Sequence, residues 1–342
     1  MSYTAERYPN ASIDLSFVKT SQGKFVAQPG YLDWRNFKAS GVNLGSWFCL
    51  EYYMVPELFA KNGQGAEDEW SLCKTQGANI GDILEKHYKT FFTERDIDAF
   101  AAVGVNLLII PTTYATWILQ ILNRVATYAI EKYDMHIVLD LYSLPGGVNW
   151  FDIGEAIGHR EYKYLRTFRT DFALSPKAAG WLLKYFLGTI ERVEAVNPNI
   201  PVMLQDSFRG EAFWELHIPR SANVVIDTHA YYFAGRDLDL EKVPVIIVED
   251  AKRDRGTGTF PVLIGEWSLE AEFNNNLVLR KATFDAGRYL FDKYVRGSCF
   301  WAGKVLSHEI VHGEGVKRDF WSYEYLIRDV VVQPVHPDYK YE

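Results

Sequence analysis

Short apolar segments rich in β-branched residues alternate along this chain with longer segments of helical periodicity. A strand that is apolar throughout is buried on both faces, and strands of this kind alternating with helices are typical of parallel βαβ units. The alternation therefore predicts an α/β fold built on a parallel sheet. The seven predicted strands are Val42–Trp47, Val105–Ile110, His136–Leu141, Val202–Gln205, Asn223–Asp227, Val262–Glu266 and Ser298–Trp301.

Helical periodicity predicts five long helices around these strands. Thr93 is followed by Asp96 three residues later, which is the pattern of a helix N-cap. Ser175 precedes Pro176, a residue favoured in the first helical turn. The predicted helices are Asp82–Phe92, Thr93–Val103, Leu119–Tyr133, Ser175–Val196 and Asn276–Tyr294.

One interval between strands is too long. A closed barrel of this type needs eight strands, and about 60 residues separate Leu141 from Val202 with one clear helix between them. The segment Tyr162–Phe168 could replace a strand there, although its charges suit a buried strand poorly. The sequence thus predicts a (β/α)8 TIM barrel whose fourth strand is missing or replaced. Residues 1–40 are predicted to be a lead-in packed on the barrel, and residues 41–342 a single barrel domain.

Composition excludes several classes of protein. The chain has 342 residues, 48% hydrophobic and 23% charged, as in globular proteins, and its formal charge of −8 without a basic block argues against a nucleic-acid partner. The longest strongly apolar run, Val105–Pro111, is too short to cross a membrane. Three cysteines without zinc spacing, and no phosphate-binding glycine loop, predict neither a metal nor a cofactor. We expect a monomer.

Aromatic residues make up 15% of the chain. They could simply fill a large core, or they could line a cleft that stacks rings on the flat faces of a sugar. Residues near predicted strand ends could form such an aromatic wall: Trp47, Trp150, Phe151, Phe233 and Trp301.

Functional side chains of α/β barrels cluster at the carboxyl ends of the strands. Glu266 follows a buried strand there and could attack an anomeric carbon, or it could be a structural carboxylate. His229 and Tyr231 are two residues apart on one strand face and could together orient that carboxylate. Glu51 could accept hydrogen bonds from sugar hydroxyls, or lie in a solvated loop.

Five motifs in order resemble the fungal exo-β-1,3-glucanase branch of glycoside hydrolase family 5: GVNLGSWFCLEYYMVPELF, DLYSLPGGVNWFDIGEAIGH, DTHAYYF, IGEWS and CFWAGK. The resemblance covers roughly residues 35–330 and implies a (β/α)8 barrel that hydrolyses β-glucosidic bonds with retention, using two glutamates and no cofactor. It matches Glu266 to the nucleophile, and His229 and Tyr231 to the pair that supports it. Glu51 and Tyr53 match sugar-subsite positions, and Phe151, Phe233 and Trp301 are further expected substrate contacts.

The chain departs from the family at the second glutamate, which lies in an Asn-Glu-Pro motif that is absent here. The acid/base residue is therefore unassigned, with Asp152, Glu155 and Asp171 as the nearest carboxylates. Ile109 stands where the family has arginine, Tyr142 where it has histidine, and Gly303 where it has tryptophan. A missing general acid typically costs 10²–10⁴-fold in rate.

Three hypotheses follow. The chain could be a β-glucan hydrolase, a glycan-binding protein on the same barrel that does not cleave, or an imperfect gene product that lacks segments around residues 118 and 165. The resemblance implies β-glucan or an oligosaccharide as partner. It also implies an extracellular or cell-wall location, whereas the first twenty residues show no export signal, so the sequence leaves the location open.

Overall fold

The computed structural model of the chain describes residues 31–113, 119–143, 157 and 176–334. Within them, seven strands form one sheet in which every pairing is parallel. The strands are β1 (Ala39–Asn43), β2 (Leu107–Thr113), β3 (His136–Ser143), β4 (Val202–Gln205), β5 (Val224–Tyr232), β6 (Val262–Ala271) and β7 (Gly297–Phe300).

Helices connect the strands and cover the outside of the sheet. Asp96 accepts a hydrogen bond from the Thr93 backbone N–H at 2.7 Å, so the predicted cap is formed. The described α-helices are α1 (Pro56–Asn62), α2 (Glu69–Gln76), α3 (Ile80–Thr90), α4 (Glu94–Ala102), α5 (Leu119–Tyr133), α6 (Pro176–Val196), α7 (Glu211–Trp214), α8 (Val243–Asp254), α9 (Arg280–Tyr294), α10 (Lys317–Trp321) and α11 (Tyr323–Arg328). Among them, no helix is both long and apolar enough to cross a bilayer.

The sheet follows the strand order of a barrel with one strand omitted. Its order is β3-β2-β1-β7-β6-β5-β4, so the first and last strands of the chain pair with each other. Within the described residues, β3 and β4 are the two edges and do not pair. This confirms the predicted (β/α)8 fold with a gap at the fourth strand. The segment Tyr162–Phe168 lies outside the described residues, as do residues 1–30, so its replacement of the strand stays a prediction.

Two apolar layers lie on the two faces of the sheet. The smaller fills the barrel interior, where Leu107, Ile109, Leu263 and Cys299 meet above Trp34. The larger lies between the sheet and the helices. Alternate residues along each strand contribute to these two layers, as the pleat of a strand requires.

The strands differ in their bounds from the prediction. β1 is Ala39–Asn43 rather than Val42–Trp47, because the chain turns at Ser46, whose φ is 56°. β5 and β6 run further than predicted because they keep pairing as far as Tyr232 and Ala271. The extension of β5 includes His229 and Tyr231.

The edge strand β3 is less covered than the others. Its outward-facing Leu139 and Leu141 are 64% and 51% exposed. Apolar residues in the middle of a parallel sheet are normally buried on both faces. The exposure therefore marks the place where the sheet is interrupted.

We predict that Gly41→Ala lowers the free energy of unfolding by about 1–3 kcal/mol. An added Cβ would lie 2.2 Å from the Cys299 sulfur in the barrel interior. Urea unfolding measures the loss, and Cys299→Ala in the same chain should restore most of it. Gly81→Ala is the control, because no atom lies within 4 Å of its added Cβ. Equal losses at both glycines would contradict the prediction.

Candidate active site

A β-bulge in β6 places Glu266 in the site. The register passes from Thr228↔Ile264 to His229↔Glu266, so β6 has one more residue than β5 over this step. It also has one more than β7, since Ile264 pairs with Ser298 and Trp267 with Phe300. Bulges of this kind re-aim side chains next to active sites. Without the bulge, strict alternation from the inward Leu263 would direct Glu266 outward towards the helices.

The bulge is held by two close contacts inside the barrel. The buried Asn43 side chain donates to the backbone oxygens of Gly265 at 2.8 Å and Phe300 at 3.3 Å. Gly265 packs directly against Asp227, since an added Cβ would lie 1.9 Å from the Asp227 Oδ1. Asn43 thus satisfies carbonyls that the interrupted ladder leaves unpaired, and the glycine leaves room for a carboxylate.

Two neighbours on β5 contact the same oxygen of Glu266. The Tyr231 hydroxyl donates to Glu266 Oε2 at 2.7 Å, and His229 Nδ1 lies 3.2 Å from it. His229 Nε2 lies 3.4 Å from Asp227 Oδ2. The three residues predicted from the sequence, Glu266, His229 and Tyr231, are therefore brought together, and Asp227 joins them.

Burial and charge act in opposite directions on this cluster. Burial raises the pKa of Glu266, whereas His229 and the Tyr231 hydrogen bond lower it. Burial alone would lower the pKa of His229, but the carboxylates of Glu266 and Asp227 outweigh it and raise that pKa to about 10. Both carboxylates thus favour the charged imidazolium over the neutral ring.

Two further carboxyls face the cluster from other strands. Burial, with Glu266 and Asp227 as further causes, raises the pKa of Asp140 at the end of β3 to about 7. Burial also raises the pKa of Asp206, which follows β4, to about 6, although the backbone N–H groups of Phe208 and Gly210 donate to it. Asp140 is thus largely protonated below neutral pH.

Glu51, Tyr53 and Trp301 lie on the β1 and β7 side of the site. Glu51 is buried rather than part of a solvated loop, and it acts electrostatically on Tyr142 and Tyr231. The Trp301 indole N–H donates to the Tyr53 hydroxyl at 2.7 Å, and the indole stacks on Tyr142 with ring centroids 5.5 Å apart. Trp301 is only 2% exposed, so it fixes Tyr53 and Tyr142.

An aromatic group that the sequence did not reveal surrounds Tyr231. Trp321 on α10 stacks on the Tyr231 ring at 5.5 Å and contacts the Tyr53 and Phe233 rings edge-on. Its indole N–H donates to Glu270 on β6. Phe233 is 40% exposed beside this group. Trp321 lies 90 residues from Tyr231 in the chain, in a helix without a strand-end signal, so periodicity could not place it here.

Other predicted site residues are placed elsewhere. Trp47 is not part of an aromatic wall: it is fully buried, packs on Phe48 and Phe92, and donates to the Tyr88 carbonyl, because the turn at Ser46 directs it into the helix layer. The remaining positions lie outside the described residues: Trp150, Phe151, Asp152, Glu155 and Asp171. Across the described ranges, no group of three or more histidine, cysteine, aspartate or glutamate side chains is arranged to hold a metal ion.

This arrangement suits a carboxylate that acts as a nucleophile. Both donors contact Oε2, so the second oxygen of Glu266 is left outside these contacts. Aromatic rings next to the carboxylate suit the apolar face of a sugar ring.

Comparison with known proteins identifies the family. The structure superposes on the crystal structure of rutinosidase from Aspergillus niger with a TM-score of 0.84 and 38% sequence identity, covering 89% of this chain and all of that one. The chain belongs to glycoside hydrolase family 5, in the fungal exo-β-1,3-glucanase branch. The family predicted from the five motifs is thereby confirmed, although no protein-family model matches the chain.

Curated relatives of this family 5 chain are more distant. The probable glucan 1,3-beta-glucosidase A of Aspergillus clavatus is 27% identical over 67% of the chain, and glucan 1,3-beta-glucosidase 1 of Schizosaccharomyces pombe is 26% identical over 69%. The chain spans 64% of the length of the Aspergillus clavatus protein and 69% of the Schizosaccharomyces pombe protein.

We predict that Asn43→Ala lowers the free energy of unfolding of this family 5 protein by about 1–3 kcal/mol, because the buried Gly265 carbonyl loses its donor. Chemical denaturation measures the change. Asn36→Ala makes the same replacement at an exposed site and should cost less than about 0.5 kcal/mol. A cost at Asn43 no larger than at Asn36 would show that the bulge does not depend on this side chain.

Proposed function

We propose that this protein is a retaining β-glucoside hydrolase of the exo-β-1,3-glucosidase type, with Glu266 as its nucleophile. The observation that carries the proposal is the Glu266 carboxylate at the bulge of β6, with Tyr231 and His229 on one oxygen. The family membership and the names of the curated relatives support β-glucan as the substrate.

In the proposed reaction, Glu266 attacks the anomeric carbon as the glycosidic C–O bond breaks. The leaving oxygen takes a proton from an acid, and the sugar is held as an ester of Glu266. Water then attacks the same carbon and gives a proton to the conjugate base of that acid, which releases the sugar with its configuration retained and restores both the carboxylate and the acid. His229 and Tyr231 hold Glu266 ionised and oriented for the first step.

The leaving oxygen requires a proton donor, and the sequence does not identify that residue. The family's Asn-Glu-Pro motif is absent from the sequence. Burial raises the pKa of Asp140 to about 7, and Asp140 shares the barrel interior with Glu266, so it is a described carboxyl that could serve. A leaving group that is itself acidic, such as a phenol, departs without a proton and does not need the missing residue.

The absent motif also favours a second candidate function, glycan binding without cleavage. The retained aromatic group around Tyr231 and Trp321 would then bind β-glucan at an inactive site. The similar Aspergillus niger crystal structure is that of a rutinosidase, so a rutinoside is a second substrate to test beside β-1,3-glucan.

We predict that Glu266→Gln abolishes turnover, by at least ~10³-fold, because the amide cannot form the ester intermediate. Purified protein is assayed with laminarin, a rutinoside and 2,4-dinitrophenyl β-glucoside. We expect the dinitrophenyl substrate to react fastest, since it needs no proton donor. Glu249→Gln, the same change on the exposed face of α8, is the control and should leave every rate unchanged.

The substrates separate the candidates. Hydrolysis of laminarin or the rutinoside that disappears in Glu266→Gln supports a complete enzyme, and a further loss in Asp140→Asn for these substrates alone assigns the acid. Reaction of the dinitrophenyl substrate alone supports the nucleophile without its acid. If none of the three substrates is hydrolysed and calorimetry shows that laminari-oligosaccharides bind, the hydrolase proposal is overturned and the glycan-binding function is supported.

A further inference from the structure

His229 lies between two carboxylates. Its Nδ1 is 3.2 Å from Glu266 Oε2, and its Nε2 is 3.4 Å from Asp227 Oδ2. A neutral imidazole carries one N–H and one lone pair, so one of the two nitrogens would point a lone pair at a carboxylate. Only the doubly protonated ring donates towards both. The geometry therefore favours the imidazolium form.

Asp227 lies in the barrel interior and not on the outer surface. It is on β5 two residues before His229, on the same face of the strand, and its Oδ1 is buried against Gly265. Any side chain at residue 265 would collide with that oxygen. The bulge that presents Glu266 is thus the same feature that leaves room for Asp227.

A positive charge beside Glu266 would favour its ionised form. Glu266 is buried, and of the described residues that act on its charge, His229 is the one that is positive. Ile109 occupies the position of the family's arginine and packs in the apolar interior of the barrel. A buried carboxylate without a nearby positive charge favours its neutral form, which is a poor nucleophile.

We propose that Asp227 is a positioning residue that keeps His229 doubly protonated, so that the imidazolium is the positive charge beside Glu266. The protonation state stands on the geometry alone, whereas its consequence for catalysis rests on the proposed function. The raised pKa of His229 agrees with this assignment, because Glu266 and Asp227 are the two groups that raise it most.

Among the described residues, the other titratable groups around the pair are Asp206, Asp140, Tyr231, Tyr142 and Cys299. Burial raises the pKa of Tyr142 and Cys299 well above the usual values, so both are neutral. Asp206, after β4, adds to the negative field on His229. Asp140, on β3, is influenced by Glu266 and Asp227 and is itself mostly protonated below neutral pH. Tyr231 donates to Glu266 and stays neutral, because burial, with Glu266 as a further cause, raises its pKa well above the usual value. Asp206 therefore acts on His229 in the same direction as Asp227, whose Oδ2 lies 3.4 Å from Nε2.

The test is nitrogen-15 NMR of the imidazole ring in the full chain, with the His229 signals assigned by their loss in His229→Gln. We expect both ring nitrogens of the wild type to be protonated from pH 6 to pH 9. Asp227→Asn should bring the midpoint of the titration down to about pH 8. Asp98→Asn, the same change on the outer helix α4, is the control and should leave the midpoint unchanged.

A second arm measures the rate at which 2-deoxy-2-fluoro-β-glucosyl fluoride labels Glu266 as the pH is raised. Labelling should fall on the alkaline side as His229 loses its proton, and Asp227→Asn should move that fall to lower pH. Gly265→Ala displaces the Asp227 carboxylate without removing it. It should therefore lower both the titration midpoint of His229 and the pH at which labelling of Glu266 falls, as Asp227→Asn does. Circular dichroism confirms that each variant is folded.

A His229 ring that is singly protonated in the wild type at pH 7 overturns the proposal, whether or not any variant folds. An unchanged midpoint in Asp227→Asn overturns it as well. A doubly protonated ring with the expected shift, in a protein that is never labelled, supports the role of Asp227 and overturns Glu266 as the nucleophile. The two proposals therefore fail in distinguishable ways.

Discussion

The candidate site depends on one extra residue in β6. The bulge gives this strand one more residue than each of its two neighbours, so Gly265 and Glu266 both reach the barrel interior while Trp267 returns to the helix layer. Asn43, from β1, takes up the carbonyl groups that the interrupted pairing leaves open. A strand without this irregularity would bury the same glutamate among apolar helices. The site thus exists because the sheet is locally irregular and that irregularity is hydrogen-bonded.

Placing a carboxylate inside a barrel creates an electrostatic cost, and the surrounding residues offset it. Asp140, Asp206, Asp227 and Glu266 all face one histidine. In a medium of low dielectric these carboxyls cannot all be ionised near a single cation. Burial is the first cause of the raised pKa values of Asp140 and Asp206, and the charges of Glu266 and Asp227 add to it at Asp140. Glu266 and Asp227 are the carboxyls that contact the two ring nitrogens of His229.

The gap in the sheet and the aromatic group lie on different sides of the same interior. β3 and β4 are the edges among the described strands. Asp140 lies in β3, and Asp206 directly follows β4. Tyr53, Tyr231, Phe233 and Trp321 gather on the side where the sheet is continuous. The part of the site that holds Glu266 is therefore supported by an unbroken run of strands.

Local patterns in the sequence were enough to predict the existence of the strands, their parallel arrangement, the gap after β3 and the candidates Glu266, His229 and Tyr231, although β5 and β6 run further than those patterns indicate. These features depend on residues that are neighbours in the chain, whose periodicity reports burial directly. The sequence could not reveal the bulge, the contact of Asp227 with His229, or Trp321 above Tyr231. A bulge is defined only by the register of two partner strands, and Trp321 reaches Tyr231 across 90 residues of chain. The sequence by itself determined which residues could do chemistry. The tertiary structure decided which of them meet, because pairing register and packing join residues that no local pattern connects.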